Sequence, residues 1–135
     1  MKGHVRHLHR DERGLVGKFI VGWLLIVGLI GLAAVDFTSI AFTTFRLSDI
    51  AASAASEAAS QFNRGANPTK ACAAAEQAIT EQDDAVRMVG CRRVEGDRFS
   101  LTVRKQAATL IVSKVGFLEG YGRVTRTESA APSAV

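Results

Sequence analysis

Residues Phe19 to Val35 read FIVGWLLIVGLIGLAAV, with no charged residue and no proline. Extending the run back to Leu15 gives 21 residues interrupted only by Lys18. At 1.5 Å per residue such a helix is about 32 Å long, enough for a hydrocarbon core of about 30 Å. Lys18 lies near one end, where its stem carries the ammonium to the headgroups. This predicts a transmembrane helix over residues 15–36, with the lipid bilayer as a partner. The residues that follow are rich in alanine and serine, so a folded domain built from them has small apolar groups and needs a staple or a partner.

The charge balance supports that reading. The chain carries a net charge of +4, which by itself raises nucleic acid as a partner. Five basic residues (Lys2, Arg6, Arg10, Arg13, Lys18) sit in the first 18 positions against Asp11 and Glu12, whereas the remainder is nearly neutral. The basic excess flanks the membrane segment, and no nucleic-acid partner is expected. Only Arg46 lies within about 15–20 residues beyond the span, so the positive-inside rule places residues 1–14 in the cytoplasm and the C-terminal part outside the plasma membrane. A competing reading is a secretory signal cut after Gly31-Leu32-Ala33. Its apolar region is longer than usual, no polar region precedes the cut, and the helical pattern runs through it, so an uncleaved anchor is preferred.

That helical pattern continues past the bilayer. Between Asp36 and Phe62 there is neither proline nor glycine, and Ile40, Thr44, Leu47, Ala51, Ala54, Ala58 and Phe62 recur at three- and four-residue steps. The spacing predicts a helical extension over residues 37–64 with one apolar face. Leu47, Ala51, Ala54 and Ala58 form a narrow seam on it, which lets another helix approach closely. Gly65 suits the C-cap, and Asn67-Pro68 suits the start of a second, Ala-rich helix ending near Asp84. Alternation then replaces helical spacing. Met88–Val94 and Arg98–Arg104 predict a hairpin turning through Glu95-Gly96-Asp97. Leu110–Val112 is read as continuing the sheet, 116–121 as a loop with apolar contacts, and Gly122–Thr127 as a last strand. The fold class is α+β, with a small antiparallel sheet in a domain over residues 65–130 and a loose tail over 131–135.

Cys72 and Cys91 are the chain's two cysteines, and both fall on the far side of the membrane, where disulfides persist. A Cys72–Cys91 bridge is therefore expected. Charge is segregated: residues 36–86 are net negative and 87–135 net positive, which could join the two halves or two copies head to tail. No catalytic constellation is expected. His4, His7 and His9 lie on the opposite side of the span from nearly all other residues, leaving no base for a serine or cysteine nucleophile. No phosphate-binding loop, metal site or cofactor site is visible, and an enzymatic role is not expected.

Glu12-Arg13-Gly14, the apolar span, then Val35-Asp36-Phe37, Ala41-Phe42, Arg46-Leu47, Ala51-Ala52 and Ala54-Ala55 resemble the N-terminal signature of TadE-like proteins. The resemblance covers residues 12–62 and implies a minor, pseudopilin-like component of a bacterial tight-adherence pilus or secretion machine, acting by assembly. Its implied partners are other pilus or secretion subunits, or further copies of this chain. It also implies prepilin-type processing at Gly14 or Gly17, but the glutamate expected five positions later is replaced by Phe19 or Gly22. An alternative function is a binding module for an anionic envelope polymer or a protein partner, carried by Arg92, Arg93, Arg98 and Arg104.

Overall fold

The computed structural model describes residues 12–133. The assigned N-terminal tail with its three histidines therefore lies outside the described residues up to residue 11. One helix, α1, runs unbroken from Glu12 to Asn63, 52 residues, or about 78 Å. It has no proline to remove a backbone donor, and an apolar stretch in which intrahelical bonds satisfy every peptide group. It ends as its sequence dictates. Gly65 takes φ +100°, its N–H donates to the Phe62 carbonyl, and the Ala66 N–H donates to that of Gln61, a paired closure that satisfies two carbonyls of the last turn.

The second helix, α2 (Pro68–Gln82), starts on Asn67, whose side chain accepts the Lys70 N–H at 2.8 Å while Pro68 occupies the first helical position. Its buried residues are Ala71, Ala75 and Ile79. It stops two residues earlier than the sequence suggested, because Asp83 turns extended as the C-cap. Three strands follow: β1 (Arg87–Arg93), β2 (Phe99–Gln106) and β3 (Arg123–Ala130), an antiparallel sheet in the order β1-β2-β3. The β1–β2 hairpin turns at Gly96, which takes φ +63°, as the sequence implied.

Both helices lie on one face of the sheet. Phe99, Leu101 and Val103 of β2 point into this layer and are fully buried, alongside Leu47, Ala51, Ala54, Ala55, Ala58 and Ala59 of α1. Alanine at these positions lets α2 and the sheet close directly onto the α1 backbone. At the far end, the rings of Phe62 and Phe99 meet at 5.6 Å between centroids, and the Arg93 guanidinium sits 4.5 Å from the Phe62 centroid. Cys72 of α2 and Cys91 of β1 form a disulfide with Cα atoms 5.9 Å apart.

One expectation fails. Leu110–Val112 does not continue the sheet: these residues leave it and bend back to α1. Of the predicted tail, residues 131–133 are described and carry no regular structure. Strand β3 extends to Ala130, and at Ser133 the N–H donates to Ser60 Oγ at 3.2 Å with the two hydroxyls 3.1 Å apart.

Opposite charge on the two halves produces a single salt bridge among the described residues, Lys105 to Asp83. Lys105, and then the Ala85 N–H, hold the Asp83 carboxyl below its ordinary pKa. The folded state therefore binds this proton more weakly than the unfolded chain, so the bridge's contribution is present above the unfolded pKa and is lost as pH falls through the folded one. The melting temperature should fall on acidification below about pH 4, and Lys105→Met should make that fall shallower. Reducing the disulfide opens a loop with a sequence separation of 19, which should lower stability by about 3 kcal/mol. A thermal melt of the full chain in detergent, with and without reductant, measures this.

Candidate membrane interface and its clamped loop

The two halves of α1 have opposite surroundings. Its first half is long and apolar enough to cross a membrane, with a mean hydropathy of 2.3 in the best window and only 6% of that window buried by the rest of the chain. Every large apolar side chain from Leu15 to Val35 is exposed, Trp23 at 67% among them. Exposed Phe37, Phe42 and Phe45 continue this apolar surface past the predicted span. Two grooves on this half are lined by Leu15, Phe19, Trp23 and their helical neighbours. They are corrugations of a bare helix, and they bring no polar chemistry together.

Where the span ends, a charge is buried. Asp36 is only 3% exposed. Its Oδ1 accepts the Leu110 N–H at 2.6 Å, and its Oδ2 accepts those of Ile111 and Val112 at 2.7 and 3.0 Å. Three consecutive amides thus converge on one carboxylate some 75 positions earlier in the chain, each bond strengthened by the acceptor's charge. Ser39, nearly one turn along, donates its hydroxyl to the Ala108 carbonyl. This explains why Leu110–Val112 is no strand: its donors are spent on the helix instead of on a sheet edge.

The segment from Ala107 to Gly122 is a closed loop. The Ala107 N–H donates to the Gly122 carbonyl at 2.7 Å, so the ends meet as in an Ω-loop. Inside it, the N–H groups of Lys114, Leu118 and Tyr121 donate to the carbonyls of Ile111, Val115 and Leu118, and Ser113 Oγ donates to the Thr109 carbonyl. Ile111, Val112 and Leu118 turn toward α1, sharing a groove with Ala33, Asp36, Phe37 and Ile40. Leu110, Phe117 and Tyr121 face outward, at 56%, 82% and 71% exposure.

The other site residues predicted from sequence are distributed as follows. Leu47, Ala51, Ala54 and Ala58 do share one helix face, but each is 0% exposed beneath α2 and the sheet. The seam is filled by the chain itself, so it cannot also receive another subunit. That corrects the expectation that these four bind a partner. Gly14 and Gly17 lie within α1 with open space around them. The four arginines of the alternative reading do not converge. Arg92 and Arg104 share the outer sheet face, Arg93 folds over Phe62 on the inner side, and Arg98 precedes β2. Among the described residues no group of His, Cys, Asp or Glu could hold a metal ion. Sequence reasoning missed the tie between Asp36 and the loop; its one signal was a lone acid at the end of an apolar span.

Comparison with protein-family models, curated proteins and solved structures gives no match.

Replacing Asp36 with asparagine removes the charge and turns one acceptor oxygen into a donor facing the loop amides. Hydrogen bonds to a charged group are worth about 1.5–3 kcal/mol, so Asp36→Asn should speed exchange of the Leu110–Val112 amides at least about tenfold. Hydrogen–deuterium exchange on the 107–122 peptides measures this, with the β1–β2 hairpin as the unchanged reference.

Proposed function

We propose that the chain is a membrane-anchored structural subunit of a bacterial surface pilus or secretion machine, pseudopilin-like in build and acting by helix packing. The observation that carries this reading is the division of α1: one unbroken helix whose first half is bare of its own chain until the loop contacts at Ala33 and Asp36, and whose second half is the spine of a small disulfide-clipped domain. A helix of this kind anchors and orients a headpiece, and offers a long apolar flank to neighbouring helices. The basic residues before the span put the N-terminus in the cytoplasm and the headpiece outside, the compartment in which its disulfide persists.

Because the alanine seam is occupied, contacts with other subunits fall on the exposed half. Lipid tails are as apolar as leucine, so helices associate in a bilayer through close packing at small residues. Gly28 and Gly31 stand one turn apart there, and a Cβ added at either meets nothing within 4 Å in this chain. Like Gly17 and Gly22 nearer the N-terminus, they are places where a second helix backbone can come near. Gly28→Leu/Gly31→Leu leaves the headpiece fold untouched and blocks that approach. In mild detergent extracts, pilus or secretion subunits identified by mass spectrometry should co-purify with the wild-type chain and be lost from the double variant, while both proteins stay in the membrane fraction. Wild-type protein that brings down no such subunit, or a double variant that keeps them, would defeat the proposal.

A further inference from the structure

We infer that the loop from Ala107 to Gly122 is a membrane foot: it rests in the outer leaflet of the bilayer that α1 spans, with Leu110, Phe117 and Tyr121 among the upper acyl chains and headgroups. The inference rests on the anchored reading above and goes beyond it by naming the surface this loop binds.

Three observations carry it. The first is level. Asp36 and Ser39 tie the loop to the end of the apolar span, and the groove beneath it includes Ala33, one helical turn inside the span. A loop held there is at the depth where the hydrocarbon gives way to headgroups. The second is continuity. Phe117 and Tyr121 border the same groove as Phe37, itself 75% exposed, so the loop extends the lipid-facing surface of α1 sideways. Tyr121 at this depth matches the belt that tyrosine and tryptophan form at membrane–water boundaries, with the apolar ring of Phe117 on the acyl-chain side. The loop's charged residues, Lys114 and Glu119, are both exposed. The long lysine stem can place its ammonium on lipid phosphates while the backbone stays lower.

The third observation is chemical. Irregular backbone can enter the boundary of a bilayer only if its polar groups are satisfied by protein. Here seven amides are served by protein: those of Leu110, Ile111 and Val112 by Asp36, those of Lys114, Leu118 and Tyr121 by turns within the loop, and that of Ala107 by Gly122. These donors carry no desolvation cost on meeting lipid, while Thr109 Oγ1, buried without a partner among the described residues, stays on the protein side of the loop. Water does not account for Phe117, at 82% the most exposed large apolar side chain among the described residues.

The chain's single tryptophan, Trp23, supplies the control. Full-length protein is reconstituted into phosphatidylcholine vesicles whose lipids carry bromine either high on the acyl chains or near the bilayer centre. Two proteins are compared: wild type, reporting from Trp23, and Trp23→Phe/Tyr121→Trp, reporting from the loop. The expected result is that Trp23 is quenched by bromine within the bilayer. The tryptophan at 121 should be blue-shifted, quenched most by the high bromines and protected from iodide in solution. Adding Asp36→Asn to the second protein should weaken its bromine quenching. A tryptophan at 121 that emits as in water and is quenched by iodide, while Trp23 still responds to bromine, would overturn the foot and leave the anchor standing. Shielding from both quenchers would mean that protein covers the loop, which also overturns it. If Trp23 itself ignores bromine, the anchored reading fails, and the foot with it.

Discussion

The close approach that alanine allows along α1 is the contact on which the rest of this structure depends. Ala51, Ala54, Ala55, Ala58 and Ala59 are all fully buried, and at each the neighbouring element meets a methyl group and then backbone. Larger side chains there would hold α2 and the sheet away and expose Phe99, Leu101 and Val103. Alanine also has the highest helix propensity, so the residues that permit the contact keep the helix unbroken through it. The weakness is that methyl groups bury little area apiece. The disulfide between α2 and β1 and the Phe62–Phe99 contact reinforce the layer at the end farthest from the span.

This arrangement divides α1 between two surroundings. Up to Val35 its large apolar side chains face outward and suit lipid. From Leu47 onward its apolar face is covered by its own chain. The residues between belong to neither regime, and it is here that Asp36 and Ser39 bind the loop. A carboxylate at this position would be costly beside acyl chains if left bare. Surrounded by three peptide N–H groups, it becomes an internal tie and removes a charge from the exposed apolar surface.

Much of this fold was legible because the elements are locally encoded. The apolar run, the Gly65 and Asn67-Pro68 punctuation, the alternation in β2 and the Gly96 turn each act over a few residues, and each appears where the pattern put it. Legibility ended where the deciding partner is distant. Leu110-Ile111-Val112 has the composition of a strand, and only the carboxylate some 75 residues earlier decides otherwise. The seam shows a subtler failure. Helical spacing correctly placed Leu47, Ala51, Ala54 and Ala58 on one face, but periodicity cannot say whether the covering surface is a neighbour's or the chain's own. Among the described residues the charge segregation similarly resolved into a single pair, Lys105 with Asp83, because most of the remaining charges point to solvent.

The unbroken helix also locks rotation to height. Each residue of α1 turns the helix by about 100° and advances it about 1.5 Å. Asp36 must meet the loop on the same side on which Leu47, Ala54 and Ala58 meet the sheet. One residue inserted between Asp36 and Leu47 would swing the carboxylate a quarter-turn or more away from its amides while moving it hardly at all along the axis. Inserting seven or eleven residues restores the angle but carries Asp36 about 10 to 17 Å along the axis, beyond reach of the same amides, so the length of this stretch is fixed outright. The apolar end and the headpiece behave as one crankshaft, whose timing is set by residue count alone.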